Sequence, residues 1–134
     1  MNRSNPASMT IRRAGGAALS PAGISSTPFW FENLLDGGGD GDLAAIRADL
    51  APGTITKWHS HPRGQLLYAL SGVGLAQVCG GEVNELRAGD AVWFAPGEKH
   101  WHGASPHGTF AYLSVQLWQD GRNVDWLEQV EQRR

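Results

Sequence analysis

Four of the chain's five histidines come in two His-x-His pairs, His59/His61 in "KWHSHPRGQ" and His100/His102 in "GEKHWHGA". In an extended strand, side chains two residues apart project from the same face. Each pair can therefore aim both rings at one interior. Gln65 follows the first pair across the Pro62–Gly64 turn and starts a hydrophobic run in which it can share a face with Leu67 and Ala69. Burying neutral imidazoles together is costly unless each finds a partner. A shared divalent cation supplies one, and three histidines with a neutral oxygen accept Mn, Fe, Co, Ni or Zn. The chemistry that such a cation brings is Lewis acidity at a hydroxyl or carbonyl oxygen. The remaining histidine, His107 in "SPHG", reads as an exposed loop residue.

The elements that must position these residues are short. "LAAIRADL", "TITKWH", "QLLYAL", "VGLAQV", "EVNEL", "AVWF" and "TFAYLSVQL" are β-like runs, and "APG", "HPRG", "SG", "CGG", "RAGD", "APGEKH" and "SPHG" separate them. Strands this closely spaced, with Gly/Pro punctuation, indicate an all-β sandwich or barrel. At the end, "VDWLEQVEQ" sets Trp126, Leu127 and Val130 at helical spacing, and Asp125 followed by Glu128 is a capping-box variant, which predicts one short C-terminal helix. Residues 1–26 are rich in Gly, Ala, Ser and Pro and are expected to form a partly irregular arm, with 27–134 as a single domain. Within that domain "TPFWFENLL" has the aromatic density of a strand. "DGGGDGD" (36–42) lacks the spacing and terminal Glu of a calcium loop and is expected to be an exposed turn.

Bulk composition narrows the function classes. The length of 134 residues suits one core, and 41% apolar with 18% charged residues is ordinary for a globular chain. A net charge of −2 without blocks of like charge argues against nucleic acid and membrane surfaces as partners. No stretch approaches the ~20 apolar residues of a membrane span. The start carries no apolar signal-like run, so a cytoplasmic location is expected. Cys79 is alone, cannot form an internal disulfide, and is expected to be a small buried residue at a strand end. Six tryptophans point to a substantial core or an aromatic-lined pocket.

The two histidine segments also carry a resemblance. "GTITKWHSHPRGQLLYALSG" (53–72) resembles the first cupin motif: Gly, five residues, His-x-His, an acidic-ligand position, six residues, Gly. "GDAVWFAPGEKHWHGA" (89–104) resembles the second, with Ala95 where many members have proline. The resemblance implies a cupin double-stranded β-helix, or jelly-roll barrel, with His59, His61, Gln65 and His100 as ligands of one divalent metal. Most cupins have Glu where this chain has Gln65. A neutral amide oxygen leaves the ion its full charge, which lowers affinity for hard cations and makes a stronger Lewis acid.

A narrower resemblance joins "WHSHPRGQ", the second motif, Gln116 and the tail "DGRNVDWLE" to small bacterial cupins with (R)-selective hydroxynitrile lyase activity, which are manganese-dependent. It implies cyanohydrin cleavage or formation and places Thr56, His102 and Gln116 around the metal. Where this chain has Tyr112, those lyases have a histidine. A phenol with an ordinary pKa of ~10 is a poor base at neutral pH but a capable hydrogen-bond donor. His102, not needed to complete four ligands, can move the substrate's proton or can instead brace a ligand. Phe110, Tyr112, Ser114 and Gln116 fall at even spacing on one strand and can face inward together. Two other functions stay open: an oxygenase or oxidase using the same metal, since three histidines leave positions for O₂, and a non-catalytic cupin that binds a small ligand. Phe29, Trp30 and Phe31 near the N-terminus suggest strand exchange in a homodimer or higher homo-oligomer.

Overall fold

The computed structural model describes residues 4–131. Ten strands are present: β1 (Ala18–Leu19), β2 (Trp30–Asp36), β3 (Leu43–Leu50), β4 (His59–Ser60), β5 (Gln65–Val78), β6 (Asn84–Arg87), β7 (Ala91–Phe94), β8 (His100–Ala104), β9 (Phe110–Leu117) and β10 (Asp125–Trp126). All pairings are antiparallel. Their order is β1-β2-β3-β9-β5-β8-β4-β10, with β6 and β7 also on β5. The sheet curls into the half-barrel that the motifs imply.

The 14 residues of β5 hold the two halves together. Gln65–Gly72 pair with β9, and Gln65–Tyr68 with β7 on the other side; Gly74–Val78 pair with β8 and Val73–Ala76 with β6. In sequence "SG" at 71–72 reads as a break between two strands. In the structure it is a bend within one strand: the register against β9 shifts between Ala69 and Ser71, and Gly72 adopts φ +77°. Such a bulge lets one strand leave one sheet and enter the other. The alternation along the first half of β5 buries Gln65, Leu67 and Ala69 and exposes Leu66 and Tyr68. Leu67 and Ala69 join Ala48, Leu50, Phe94, Phe110 and Tyr112 in the core.

Three expectations are corrected. Among the described residues there is no helix, and so none long and apolar enough to cross a membrane. The segment read as a C-terminal helix is extended: Asp125 and Trp126 pair with Ser60 and His59. The Leu127 amide donates to Trp58 O (2.8 Å) and the Trp58 amide to Glu128 O (3.0 Å). Here the open edge of β4 wins over helical spacing, because a lone short helix gains little without a face to pack on. The Lys99–Glu128 ion pair at 2.7 Å, with the Lys99 ammonium 5.4 Å over the Trp58 ring, fastens the same segment. Cys79, expected to be buried, is exposed, because β5 ends one residue before it and the chain turns outward at Gly80.

The third correction concerns "TITKWH", which forms no strand before the two-residue β4: Ile55 and Thr56 make only isolated bridges, to Gly103 and Ser25. The N-terminal arm meets this stretch and β2 through main-chain hydrogen bonds. Ser20 N–H donates to Phe29 O (2.7 Å), Ser26 N–H to Ile55 O (2.8 Å), and Lys57 N–H to Ile24 O (3.0 Å). Residues 20–29 thereby form a strap across one mouth of the barrel.

At Gly72 a Cβ would collide with the Thr109 carbonyl oxygen and adopt a left-handed backbone besides. Gly72→Ala is expected to destabilise the chain by about 2–4 kcal/mol, read from its urea midpoint. Gly80→Ala, with similar φ but open space around it, should cost only about 1–2 kcal/mol. Equal costs would contradict the close approach of Gly72 to the Thr109 carbonyl at the start of β9.

Candidate metal centre

The barrel interior brings the two histidine pairs together. His59 lies opposite His100 in the β4–β8 register, and His102 is two residues along β8. His59, His61, His100 and His102 are all buried, each at 3% exposure or less. Ligand atoms of His59, His61 and His100 lie within 4.8 Å of one another, so these three can hold a metal ion. His102 stands beside them, with ring centroids 5.2 Å from His59 and 6.0 Å from His100.

The tautomers make the arrangement specific. Each of the three clustered rings has its Nδ1 on a backbone carbonyl: His59 on Lys57 (2.7 Å), His61 on Asn123 (2.7 Å), His100 on Glu98 (2.8 Å). A carbonyl only accepts, so Nδ1 must carry the proton and Nε2 the lone pair. Metal-bound histidines are oriented in this way. The Nε2 of His61 is buried and makes no hydrogen bond. Gln65 Oε1 sits 3.0 Å from His100 Nε2, while its Nε2 donates to Ser114 Oγ at 2.9 Å. With Nδ1 protonated, two lone pairs face each other across that 3.0 Å. A cation between them removes the repulsion and satisfies the orphaned His61 nitrogen. The residues therefore fit a divalent ion held by three imidazole nitrogens and one amide oxygen.

Electrostatics keep the nitrogens available. Burial pushes the His59 and His102 pKa values well below the ordinary imidazole range, and the neighbouring rings add to the shift. Burial also lowers His61, and it lowers His100 to about 4. All four are thus neutral at physiological pH, the protonation state that ligation needs. Burial raises the Tyr112 pKa, so its phenol keeps its proton. Its ring meets that of His102 edge-on at 5.2 Å.

Above the cluster is a cavity of about 200 Å³. Thr56, His102, Tyr112 and Gln116, the residues singled out around the metal, all line it. Thr56 Oγ1 accepts from the His102 amide (3.2 Å) and so fixes the start of that ring. His107 is on the surface, as expected. The apolar wall comes from Ile24 and Phe29 of the strap, Phe31, Ile46 and Trp126.

Several of these wall and support residues are not legible as site residues from sequence. Trp126 packs 4.7 Å from His59 from within the segment read as helical, and Asn123, just before that segment, supplies the carbonyl for His61. Phe94 stacks on His100 at 3.6 Å, with the rings 8° from parallel. Its only sequence signal is its place in the "AVWF" run ahead of the second motif.

Comparisons with known proteins agree with this geometry. The chain is 41% identical over 124 residues, 91% of its length and 95% of the relative's, to a protein of Granulicella tundricola named (R)-mandelonitrile lyase. Its fold is similar to a cupin-like protein of Thermotoga maritima, with a TM-score of 0.80, 28% identity, and 87% of this chain and 89% of that one covered. A polyketide cyclase of Streptomyces resistomycificus shares the fold at a TM-score of 0.70 and 19% identity, over 92% of this chain and 88% of its own. The family model for the cupin domain matches residues 46–116, which include both histidine pairs and Gln65. With that match and the 41% relative, the chain belongs to the cupin family.

Proposed function

We propose that this cupin is a manganese-dependent lyase that cleaves and forms cyanohydrins of small aromatic or branched aldehydes. The observation that carries the reading is the set of three Nε2 lone pairs and one amide oxygen converging beneath an apolar cavity. The 41% identity to a protein named (R)-mandelonitrile lyase supports the choice of chemistry. A divalent ion held by His59, His61, Gln65 and His100 supplies Lewis acidity toward a substrate oxygen.

The chain's own groups do the rest. Phe29, Phe31 and Trp126 take the substrate's apolar substituent and keep water from the reacting carbon. In the cleavage direction the neutral His102 accepts the hydroxyl proton. The C–O bond gains double-bond character, and the bond to the nitrile carbon breaks, its electron pair leaving with cyanide. Cyanide then takes that proton from the His102 imidazolium and departs as hydrogen cyanide, which restores the neutral ring. In synthesis His102 returns the proton to the oxygen. Tyr112 carries no base function, since burial holds its proton on; it donates a hydrogen bond from the wall of the cavity. Gln116 Oε1 accepts from Ser114 Oγ (2.8 Å), which leaves the Gln116 amide N–H groups to hold the substrate's acceptor atom.

Purified chain loaded with Mn²⁺ is expected to release benzaldehyde from mandelonitrile, to stop on treatment with chelator, and to recover on readdition of the ion. His102→Ala should retain bound metal but lose about two to four orders of magnitude in rate. Stoichiometric O₂ consumption with an organic substrate and no cyanohydrin turnover would instead point to an oxygenase.

A second prediction concerns pH. The four histidines have folded-state pKa values below their unfolded values, so the unfolded chain binds more protons as pH falls. Stability of the metal-free chain should be flat above about pH 7 and fall below about pH 6.5. The slope approaches ~1.4 kcal/mol per pH unit for each histidine not yet protonated in the folded state. For His100 the loss continues to about pH 4. Thermal denaturation across pH 4–8 measures this directly, and a melting temperature that rose on acidification would refute the buried neutral cluster.

A further inference from the structure

An amide ligand poses a problem that a carboxylate does not. A carboxylate has two equivalent oxygens, either of which can face a cation. Gln65 has one oxygen and one nitrogen on the same planar head, and a half-turn would aim N–H donors at the histidine cluster. Something must select the orientation. The backbone cannot, since both orientations share the same χ1 and χ2.

The structure shows a directed chain of hydrogen bonds behind the amide. Gln65 Nε2 donates to Ser114 Oγ at 2.9 Å and more distantly to Gln116 Oε1 at 3.4 Å. Ser114 Oγ donates to Gln116 Oε1 at 2.8 Å. A hydroxyl has one proton. With that proton given to Gln116, Ser114 can only accept from Gln65, so only the nitrogen of Gln65 can face it. The oxygen of Gln65 is thereby turned toward His100. The same hydroxyl occupies Gln116 Oε1 and leaves that residue's Nε2 as the end presented to the cavity. The β5–β9 register, in which Gln65 lies opposite Gln116 and Leu67 opposite Ser114, brings the three side chains to one face. Ser114 is buried at 2% exposure, so no solvent competes for its hydroxyl.

We infer that Ser114 is the positioning residue that sets both amides: it turns the Gln65 oxygen to the metal and the Gln116 nitrogen to the substrate. The inference rests on the metal site proposed above. It implies that dependence on Ser114 belongs to the amide ligand and vanishes when position 65 carries a carboxylate.

The test is Mn²⁺ affinity, read from the electron paramagnetic resonance signal of the free ion. Four proteins are compared: the unaltered chain, Ser114→Ala, Gln65→Glu, and the two substitutions combined. Ser114→Ala is expected to weaken binding about tenfold when Gln65 is present, in line with the loss of a group that orients a ligand. In the Gln65→Glu chain the same substitution should change affinity by less than about twofold. That combined variant also reports whether an alanine at this buried position is tolerated by the fold. A similar loss in both backgrounds would mean a general packing effect and would overturn the inference, as would no loss beside Gln65. The unaltered chain and His59→Ala serve as separate controls. If the first binds Mn²⁺ and the second does not, the metal site stands and the cycle judges Ser114 alone. If the unaltered chain binds no Mn²⁺, the site reading falls and takes this inference with it.

Discussion

Three short hydrogen bonds from imidazole Nδ1 to main-chain carbonyls govern the whole site. Each fixes a tautomer and a ring plane, and together they point three lone pairs at one volume. Buried lone pairs without donors are unfavourable. The barrel tolerates the arrangement in a form that a cation completes. The carbonyls come from different places: Lys57 precedes β4, Glu98 lies in the turn before β8, and Asn123 belongs to the C-terminal segment. The centre therefore depends on the C-terminal segment reaching His61 as well as on the two histidine motifs.

The closing segments deserve equal weight with the motifs. The cupin domain match ends at residue 116, and both the strap at 20–29 and the tail from 119 onward lie outside it. Yet the strap supplies apolar wall, and the tail supplies the acceptor for His61 and the Trp126 ring against His59. The barrel thus provides the ligands, while its two flanking segments shape what can approach them.

Polar groups near the centre divide into two kinds. The histidines lose their charge through burial and so remain ligands or proton acceptors. The phenol of Tyr112 keeps its proton, and Ser114 Oγ donates to Gln116 Oε1. The same low-polarity surroundings produce both results, because burial penalises whichever form is charged. A neutral glutamine beside the histidines fits that environment better than a carboxylate in the absence of a cation, since an uncompensated buried charge costs far more than a buried amide with its hydrogen bonds made.

The sequence determined a good deal by local periodicity alone. Two-residue spacing put His59 with His61 and His100 with His102, and the same alternation placed Gln65 with Leu67 and Ala69 and lined up Tyr112, Ser114 and Gln116. The Gly/Pro punctuation marked most of the strands, but "TITKWH" holds only isolated bridges ahead of β4, and at Ser71–Gly72 a glycine that looked like a break serves as a bulge. Only tertiary structure decided the rest. Trp126 and Leu127 carry helical spacing, but the unpaired edge of β4 offers main-chain hydrogen bonds that an isolated short helix cannot match. His59 and His100 find their Nδ1 acceptors two residues away, but which nitrogen of His61 is free, and which end of Gln65 faces inward, depends on a carbonyl and a hydroxyl tens of residues away in the chain. Spacing can say which side chains share a face; it cannot say which atoms on that face are already bonded, because those partners arrive from elsewhere when the sheet closes.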